Sequence, residues 1–305
     1  MNPLEGILLV DKPAGPTSHD IVANVRRFTR GLRVGHTGTL DPAATGLLIL
    51  CVGRATRLSR FLMQGRKVYS GTIHLGVATD TYDAEGRILQ RKSLSGITEE
   101  SVRAAAARFV GSFLQSPPPY SARKLNGRPM YRLARQGKSV VADPAPVIIF
   151  RLDLLEVRLP LVLFEAETSA GTYLRALAHD LGMALGCGAH LEGLRRLASG
   201  RHRVEDAHSM SDVLEQAARR EVESLFIPLS SVDLGLPTVT VTGQGLDAMS
   251  RGRPLGSTDL LAPLPEGGLG SFRVQDEDGS LLGVACAGQD PQGRAILKPE
   301  VVLAG

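Results

Sequence analysis

Blocks of apolar and polar residues along this 305-residue chain predict short strands separated by helices. Unbroken apolar runs over 7–10 and 47–52 predict a short apolar strand and a buried strand. Partial alternation over 67–77 predicts a strand with one polar face. Clearer alternation over 147–157 and 161–168 predicts a hairpin around Leu159-Pro160.

Helical spacing and capping residues predict helices between these strands. Thr17-Ser18-His19-Asp20 is a capping sequence ahead of a predicted helix over 21–30. Another helix is predicted to begin near Arg175 and to end at Leu185. The remaining predicted helices cover 55–64, 98–110, 211–225 and the short piece 244–250.

The pattern changes around Gly235-Leu236-Pro237. Beyond this point we expect a strand over 238–242, a hairpin turning at Asp278-Gly279 and a last strand over 295–298. The sequence therefore predicts two domains, 1–235 and a small β-rich domain over 236–305.

Composition favours a reduced, cytoplasmic protein. Hydrophobic residues make up 43% of the chain, but no apolar run is long enough for a membrane helix and no signal peptide is evident. Cys51, Cys187 and Cys286 are widely separated, which predicts free thiols rather than a metal site. The acidic stretch 79–86 lacks the ligand spacing of a calcium loop, so no metal is expected there.

The charge is unevenly distributed. Residues 1–234 carry 30 Lys+Arg and 23 Asp+Glu, a net charge of +7, whereas residues 235–305 carry 5 and 8, a net charge of −3. From Ser116 to Ala142 there are six basic residues and no acidic one, with Tyr120 and Tyr131 among them. This mixture suits binding of nucleic acid, although a solvated helix face would have a similar composition.

One carboxylate, Asp41, lies in a stretch that restricts the backbone, Gly35-His36-Thr37-Gly38-Thr39-Leu40-Asp41-Pro42. The glycines permit conformations that other residues avoid, and Pro42 disfavours a helical conformation at Asp41. A stiff loop that leads into a core strand can carry a reactive group. An aspartate that caps a turn would have the same sequence, so both interpretations stand at this point.

Arg175 is expected near the beginning of a helix, where the helix dipole disfavours a cation. We therefore expect the Arg175 side chain either to pair with an anion within a site or to extend into water.

Taken in order, several motifs resemble those of the TruB-type tRNA pseudouridine synthases. The resemblance extends over most of the chain. Its motifs are GILLVDKPAG (6–15), GHTGTLDPAATGLLIL (35–50), KVY (67–69), LGVATDTYDAEG (75–86), PYSARK (119–124), YRLARQG (131–137), GTYLR (171–175) and GCGAHLEGLRRL (186–197).

The resemblance implies an α+β fold, with a mixed, mainly antiparallel sheet flanked by helices and a C-terminal PUA RNA-binding domain. It implies that uridine 55 in the T loop of tRNA becomes pseudouridine through cleavage of the C1′–N1 bond and formation of a C1′–C5 bond. It also implies a monomer that works without a cofactor or a protein partner.

The resemblance assigns roles to individual residues. Asp41 matches the catalytic aspartate, Arg175 the arginine paired with it, and Tyr69 the tyrosine that stacks on the target base. The implied substrate-binding residues are His36, which would replace the displaced base, together with Lys12, Asp83, Arg123, Lys124, Tyr173 and Leu194. The insertion over about 117–138 matches the segment that closes on the T loop.

Two features of the chain depart from the family pattern, and two other functions would share part of that pattern. Ala170 stands where many relatives have lysine, and the C-terminal domain is acidic. A non-catalytic protein that remodels the T arm would keep the RNA-binding features, but the intact catalytic set argues against it. A guide-dependent subunit would share the Asp41 stretch, yet the extra N-terminal region of such relatives is absent here.

Overall fold

The computed structural model describes residues 4–120, 124–125, 128–129, 143–264 and 270–303. Within these ranges the α-helices are α1 (Ser18–Arg26), α2 (Ser59–Gln64), α3 (Glu99–Ala107), α4 (Leu174–Ala184), α5 (Met210–Arg219) and α6 (Gly243–Ser250). The first strands are β1 (Gly6–Lys12), β2 (Val34–His36), β3 (Thr45–Val52), β4 (Lys67–Leu75), β5 (Val77–Thr79), β6 (Ile88–Arg91), β7 (Gly111–Gln115), β8 (Lys124–Leu125) and β9 (Arg128–Pro129). The later strands are β10 (Ala145–Arg158), β11 (Leu161–Thr168), β12 (Ala189–Ser199), β13 (His202–Arg203), β14 (His208–Ser209), β15 (Phe226–Pro228), β16 (Thr238–Thr240), β17 (Ser271–Gln275), β18 (Leu281–Gln289) and β19 (Ala295–Val302).

The main sheet has the strand order β14-β1-β3-β12-β4-β11-β10-β7, with β2, β13 and β15 paired at its margins. Most neighbours are antiparallel, but β1 with β14 and β3 with β12 are parallel. The predicted mixed, mainly antiparallel sheet with flanking helices is therefore confirmed.

Both faces of the central strands β1 and β3 are buried. On one face, Leu8 and Leu48 join a cluster with residues of α1 and α4. On the other face, Ile7 and Leu47 join a second cluster, which also contains Val284 of β18. Burial on both faces explains why these two strands read as unbroken apolar runs.

Capping residues and residues in the left-handed conformation set several boundaries of the helices and strands. Thr17 and Asp20 form a capping box that begins α1. Gly76, with φ of +84°, separates β4 from β5, where one strand over 67–77 was predicted. The helix predicted over 55–64 is a 3₁₀ helix (Gly53–Leu58) followed by α2. The helix predicted over 211–225 ends at Arg219 because Arg220 adopts a left-handed conformation.

Residues 238–302 include a separate four-stranded sheet, in the order β16-β17-β18-β19. The predicted hairpin at Asp278-Gly279 is confirmed as the β17–β18 connection. This sheet and α6 surround a third apolar cluster that contains Phe272 and Leu297. In the described part of the chain, no helix is long and apolar enough to cross a membrane.

Candidate active site

Asp41 lies in the loop over 37–44, which connects β2 to the neighbouring strand β3. Backbone hydrogen bonds from Thr37 N to Ile49 O (3.0 Å) and from Ala44 N to the Asp41 carbonyl (3.1 Å) hold its two ends. In the middle, the Ser18 hydroxyl accepts a hydrogen bond from Leu40 N (2.9 Å). Helix α1 thus anchors the loop one residue before Asp41.

Two buried cations support this loop from behind. The Lys12 ammonium donates to the carbonyls of Pro13 (2.9 Å), Pro42 (3.0 Å) and Ala44 (2.7 Å). The Arg196 guanidinium donates to the carbonyls of Leu47 (2.7 Å) and Gly38 (3.1 Å). Because a buried carbonyl without a donor is costly, these contacts stabilise this conformation of the loop.

The Asp41 carboxylate forms a two-point ion pair with Arg175. Nη2 donates to Oδ1 at 3.2 Å, and Nε lies 3.1 Å from Oδ2. The Arg175 side chain is only 6% exposed, whereas that of Asp41 is 43% exposed. The arginine therefore lies in the wall of the site, and the carboxylate faces the opening.

Arg175 is itself held on its other side. Nη1 lies 3.4 Å from Oδ2 of Asp83 and 3.4 Å from the Thr81 carbonyl, and Nη2 donates to the Tyr120 carbonyl at 2.8 Å. These groups are acceptors, so they satisfy a buried cation at the N-terminal end of α4. Of the two alternatives that the helix position left open, the structure therefore shows anionic partners, Asp41 and Asp83, and not a side chain in water.

A cavity of about 310 Å³ opens in front of Asp41. We call it the Asp41 cavity. Its aromatic and apolar walls include Tyr69, Tyr173, Leu191 and Leu194. Tyr69 is buried in β4, directly opposite Arg196 of β12 in the strand register.

The environment shifts several pKa values. Burial raises the pKa of Asp41, Arg175 opposes this rise, and the nearby carboxylate of Asp83 adds to it. The partly exposed side chain admits water, which limits the effect of burial. Burial also lowers the pKa of His36, so that ring is neutral at pH 7. Burial lowers the pKa of Lys67, at the cavity wall, to about 8.

The structure brings most of the predicted site residues together. Asp41, Tyr69, Tyr173, Leu194 and Arg175 line the cavity. Asp83 lies behind Arg175.

The other predicted residues lie elsewhere or cannot be located. His36 precedes the loop, and its Nδ1 accepts from Gly38 N at 3.3 Å. The Lys12 side chain is fully buried, so it faces the loop and not the cavity. Arg123 and the Lys124 side chain lie outside the described residues, as does most of the insertion.

Two residues of the site were not identified from the sequence. Arg196 lies within the motif over 186–197, to which the sequence assigned no role at that position. Gln115 pairs with the backbone of Tyr173, accepting from its N–H at 2.9 Å and donating to its carbonyl at 3.0 Å. Gln115 directly precedes Ser116, where the acid-free basic segment begins, and it is buried in the structure, which the sequence does not show. Among the described residues, no group of side chains could hold a metal ion.

Comparison with known proteins gives consistent matches. A model of the TruB family pseudouridylate synthase N-terminal domain matches residues 26–174, and a model of the tRNA pseudouridylate synthase B C-terminal domain matches residues 175–234. tRNA pseudouridine synthase B of Burkholderia mallei (strain NCTC 10247) is 42% identical over 297 residues, 97% of this chain and 96% of the relative. The Opitutus terrae protein of the same name is 46% identical over 226 residues, 74% of this chain and 93% of the relative.

Among solved structures, a chain in an H/ACA RNP bound to a substrate RNA containing 2′-deoxyuridine has a TM-score of 0.75 and 24% identity. The match covers 98% of this chain and 85% of that chain. At this identity the likeness concerns the fold.

Proposed function

The chain belongs to the TruB family of pseudouridine synthases, and we propose that it converts uridine 55 in the T loop of tRNA to pseudouridine with Asp41 as the catalytic carboxylate. It is an isomerase that acts on tRNA. The observation that carries the assignment of the site is the exposed Asp41 carboxylate, which is paired with buried Arg175 in front of a cavity.

The reaction rearranges one nucleotide without adding or removing atoms. The C1′–N1 bond breaks, the uracil turns, a C1′–C5 bond forms, and the proton lost from C5 is balanced by one gained at N1. Asp41 either attacks as a nucleophile or removes a sugar proton, and both steps require its ionised form. Arg175 favours that form because its positive charge lowers the carboxyl pKa.

The cavity suits a flipped nucleotide. A volume of about 310 Å³ lies at the lower end of small-molecule sites, and its aromatic walls can stack on a base. We assign Tyr69 to stacking on the uracil and to assistance in removing the C5 proton. Leu194 and Tyr173 would form the other walls, and neutral His36 would occupy the space that the base leaves in the T loop.

The remaining assignments concern RNA binding. Arg123, Lys124 and the insertion over 117–138 would hold the phosphates of the T arm, because this segment is basic and lacks acids. Residues 236–305 would form a PUA-like domain with weak, local RNA contacts, given their net charge of −3. For Lys12 we replace the implied substrate contact by a positioning role, since its ammonium is bonded to three loop carbonyls.

We further assign the T arm of tRNA as sufficient substrate, for a cytoplasmic monomer that needs no protein partner. The solved relative belongs to a ribonucleoprotein, but its likeness concerns the fold alone. Activity of the isolated chain would exclude a guide-dependent role.

The test is pseudouridine formation in an unmodified T-arm transcript by the isolated protein. We expect conversion by the wild type and none by Asp41→Asn, with transcript binding retained. Asp153→Asn, which changes an exposed carboxylate on β10, is the matched control and should stay active. Binding without conversion by the wild type would contradict the proposal and favour an RNA-remodelling protein.

A further inference from the structure

Four exposed arginines that follow the last turns of α1 and α5 lack a partner among the described residues. Arg27, Arg30, Arg33 and Arg220, which we call the arginine strip, donate no side-chain hydrogen bond and form no ion pair among the described residues. Exposed arginines elsewhere are commonly paired, as Arg151 is with Glu165 on the main sheet. Unpaired guanidinium groups that cluster on one surface indicate a site for an anion.

The strip lies where two helices end. The C-termini of α1 and α5 meet at a cavity of about 620 Å³, whose walls include Arg27, Arg30 and Arg220. Of the described residues in that wall, Glu223 alone is acidic. A neighbouring cavity of about 590 Å³ is lined by Arg33, Gly35 and other residues. Arg33 of the strip therefore lies close to Gly35, the residue before His36, and near the beginning of the Asp41 loop.

Two of these arginines occupy backbone positions that favour glycine. Arg30 has φ of 50° and Arg220 has φ of 62°. The left-handed conformation costs a residue with a side chain about 1 kcal/mol or more. Helix C-termini favour a cation, but glycine or asparagine is the usual choice at such a position. Arg30 and Arg220 thus hold their charges at the rim of a cavity in a backbone conformation that lowers the stability of the fold. Strained conformations of this kind are common at functional sites.

We infer that the arginine strip binds phosphates of the tRNA that lie outside its T arm. This inference rests on the proposed function, because the T loop must enter the Asp41 cavity. The ligand chemistry is a run of RNA phosphodiesters, which guanidinium groups bind by two-point hydrogen bonds.

The arginine strip lies apart from the point where the basic insertion leaves the fold, so we place its ligand outside the T arm. The basic insertion leaves the described fold at Tyr120, beside Arg175, whereas Arg33 of the strip lines a cavity with Gly35, in the strand that precedes the Asp41 loop. Ser18 at the start of α1 touches Leu40, and nine residues of helix place Arg27 about 13 Å farther away. We therefore expect an isolated T-arm hairpin held by the insertion to end before the strip, and intact tRNA to continue beyond its T loop to the strip.

The test compares intact tRNA with the isolated T-arm hairpin. The strip variant combines Arg27→Ser with Arg30→Gly and Arg220→Gly, because glycine suits the left-handed backbone and keeps the fold. The matched control combines Arg91→Ser, Arg108→Ser and Arg203→Ser, three exposed arginines that also lack ion pairs in the described structure. Affinity and turnover are measured for both RNAs over a range of salt concentrations.

We expect the strip variant to bind intact tRNA at least fivefold more weakly, with a salt slope reduced by about 2, while the hairpin is bound and converted as by the wild type. Glu223→Gln should shift tRNA affinity in the opposite direction. Equal weakening with both RNAs, no weakening with either, or the same weakening in the control variant would overturn the inference. Hairpin conversion by the wild type reports separately on the proposed function.

Discussion

The ring of Tyr82 stacks on the imidazole of His179, with the ring centroids 3.8 Å apart and the planes at 13°. Tyr82 has φ of 67°, a left-handed conformation that costs such a residue about 1–2 kcal/mol. His179 lies one turn after Arg175 on the same helix. The residues on either side of Tyr82, Thr81 and Asp83, both contact Arg175. The stack therefore offsets backbone strain in the turn that supports the arginine.

Loss of this stack should slow catalysis without weakening RNA binding. Tyr82→Gly removes the ring but suits the left-handed backbone, so the turn can form yet is no longer anchored to His179. We expect single-turnover pseudouridine formation to fall about tenfold, corresponding to about 1.4 kcal/mol in the barrier, with tRNA affinity unchanged. Tyr82→Phe keeps the stack and should keep the rate. A Tyr82→Gly enzyme at full rate would contradict a positioning role.

The pH dependence of activity should report the charges around Asp41. Arg175 lowers the carboxyl pKa and Asp83 raises it, on top of the rise caused by burial. Activity requires the carboxylate, so it falls as the pH drops through this pKa. Arg175→Gln should move the acid limb of kcat/KM to higher pH, and Asp83→Asn should move it to lower pH. Identical acid limbs in the wild type and both variants would rule out ionised Asp41 as the controlling group.

The basic insertion should contribute affinity that depends on salt. Neutralising Arg123, Lys124 and Arg128 removes three charges from a segment without acids, so tRNA binding should weaken and the salt slope should fall by about 2. Binding titrations at several salt concentrations measure both effects. Unchanged affinity across that range would show that the insertion does not hold phosphates.

Sequence patterns predicted the central strands well because β1 and β3 are buried on both faces. They did not identify β12, whose sequence contains Gly193, Arg195 and Arg196. In the structure, Arg195 pairs with Asp11, and Arg196 is buried against loop carbonyls. The arginines of β12 are paired with groups that lie far away in the sequence. They interrupt the alternation of apolar and polar residues by which a strand is recognised from a single sequence.

The sequence could predict which residues belong to the candidate site, but not which of them contact one another. Asp41 and Arg175 are 134 positions apart, and only the resemblance to a family paired them before the structure. The helix position of Arg175 allowed either an anionic partner or a side chain in water, and it could not specify Asp83 or the Tyr120 carbonyl. The surroundings of Lys12 could not be specified for the same reason: its three acceptors are backbone carbonyls, which the sequence does not distinguish from any others.

Gly46 should tolerate no side chain. Its φ is +98°, and a Cβ atom there would lie 2.3 Å from the Arg196 carbonyl oxygen, at the parallel contact of β3 with β12. We expect Gly46→Ala to lower the free energy of unfolding by about 3 kcal/mol or more, from strain and overpacking together. Gly35→Ala is the matched control, since nothing lies within 4 Å of its Cβ position. Chemical denaturation compares the two, and equal stability would contradict the close contact at Gly46.

Lys12 should act on the rate of the reaction through the shape of the Asp41 loop. Lys12→Met keeps the length of the side chain but leaves the Pro42 and Ala44 carbonyls without the ammonium, so we expect a loss of about 2–4 kcal/mol in stability. The single-turnover rate should fall while tRNA affinity stays near that of the wild type. Lys92→Met, which removes an exposed ammonium bonded to one carbonyl, is the matched control and should change neither. Weaker tRNA binding by Lys12→Met at unchanged stability and rate would instead assign this ammonium to the substrate.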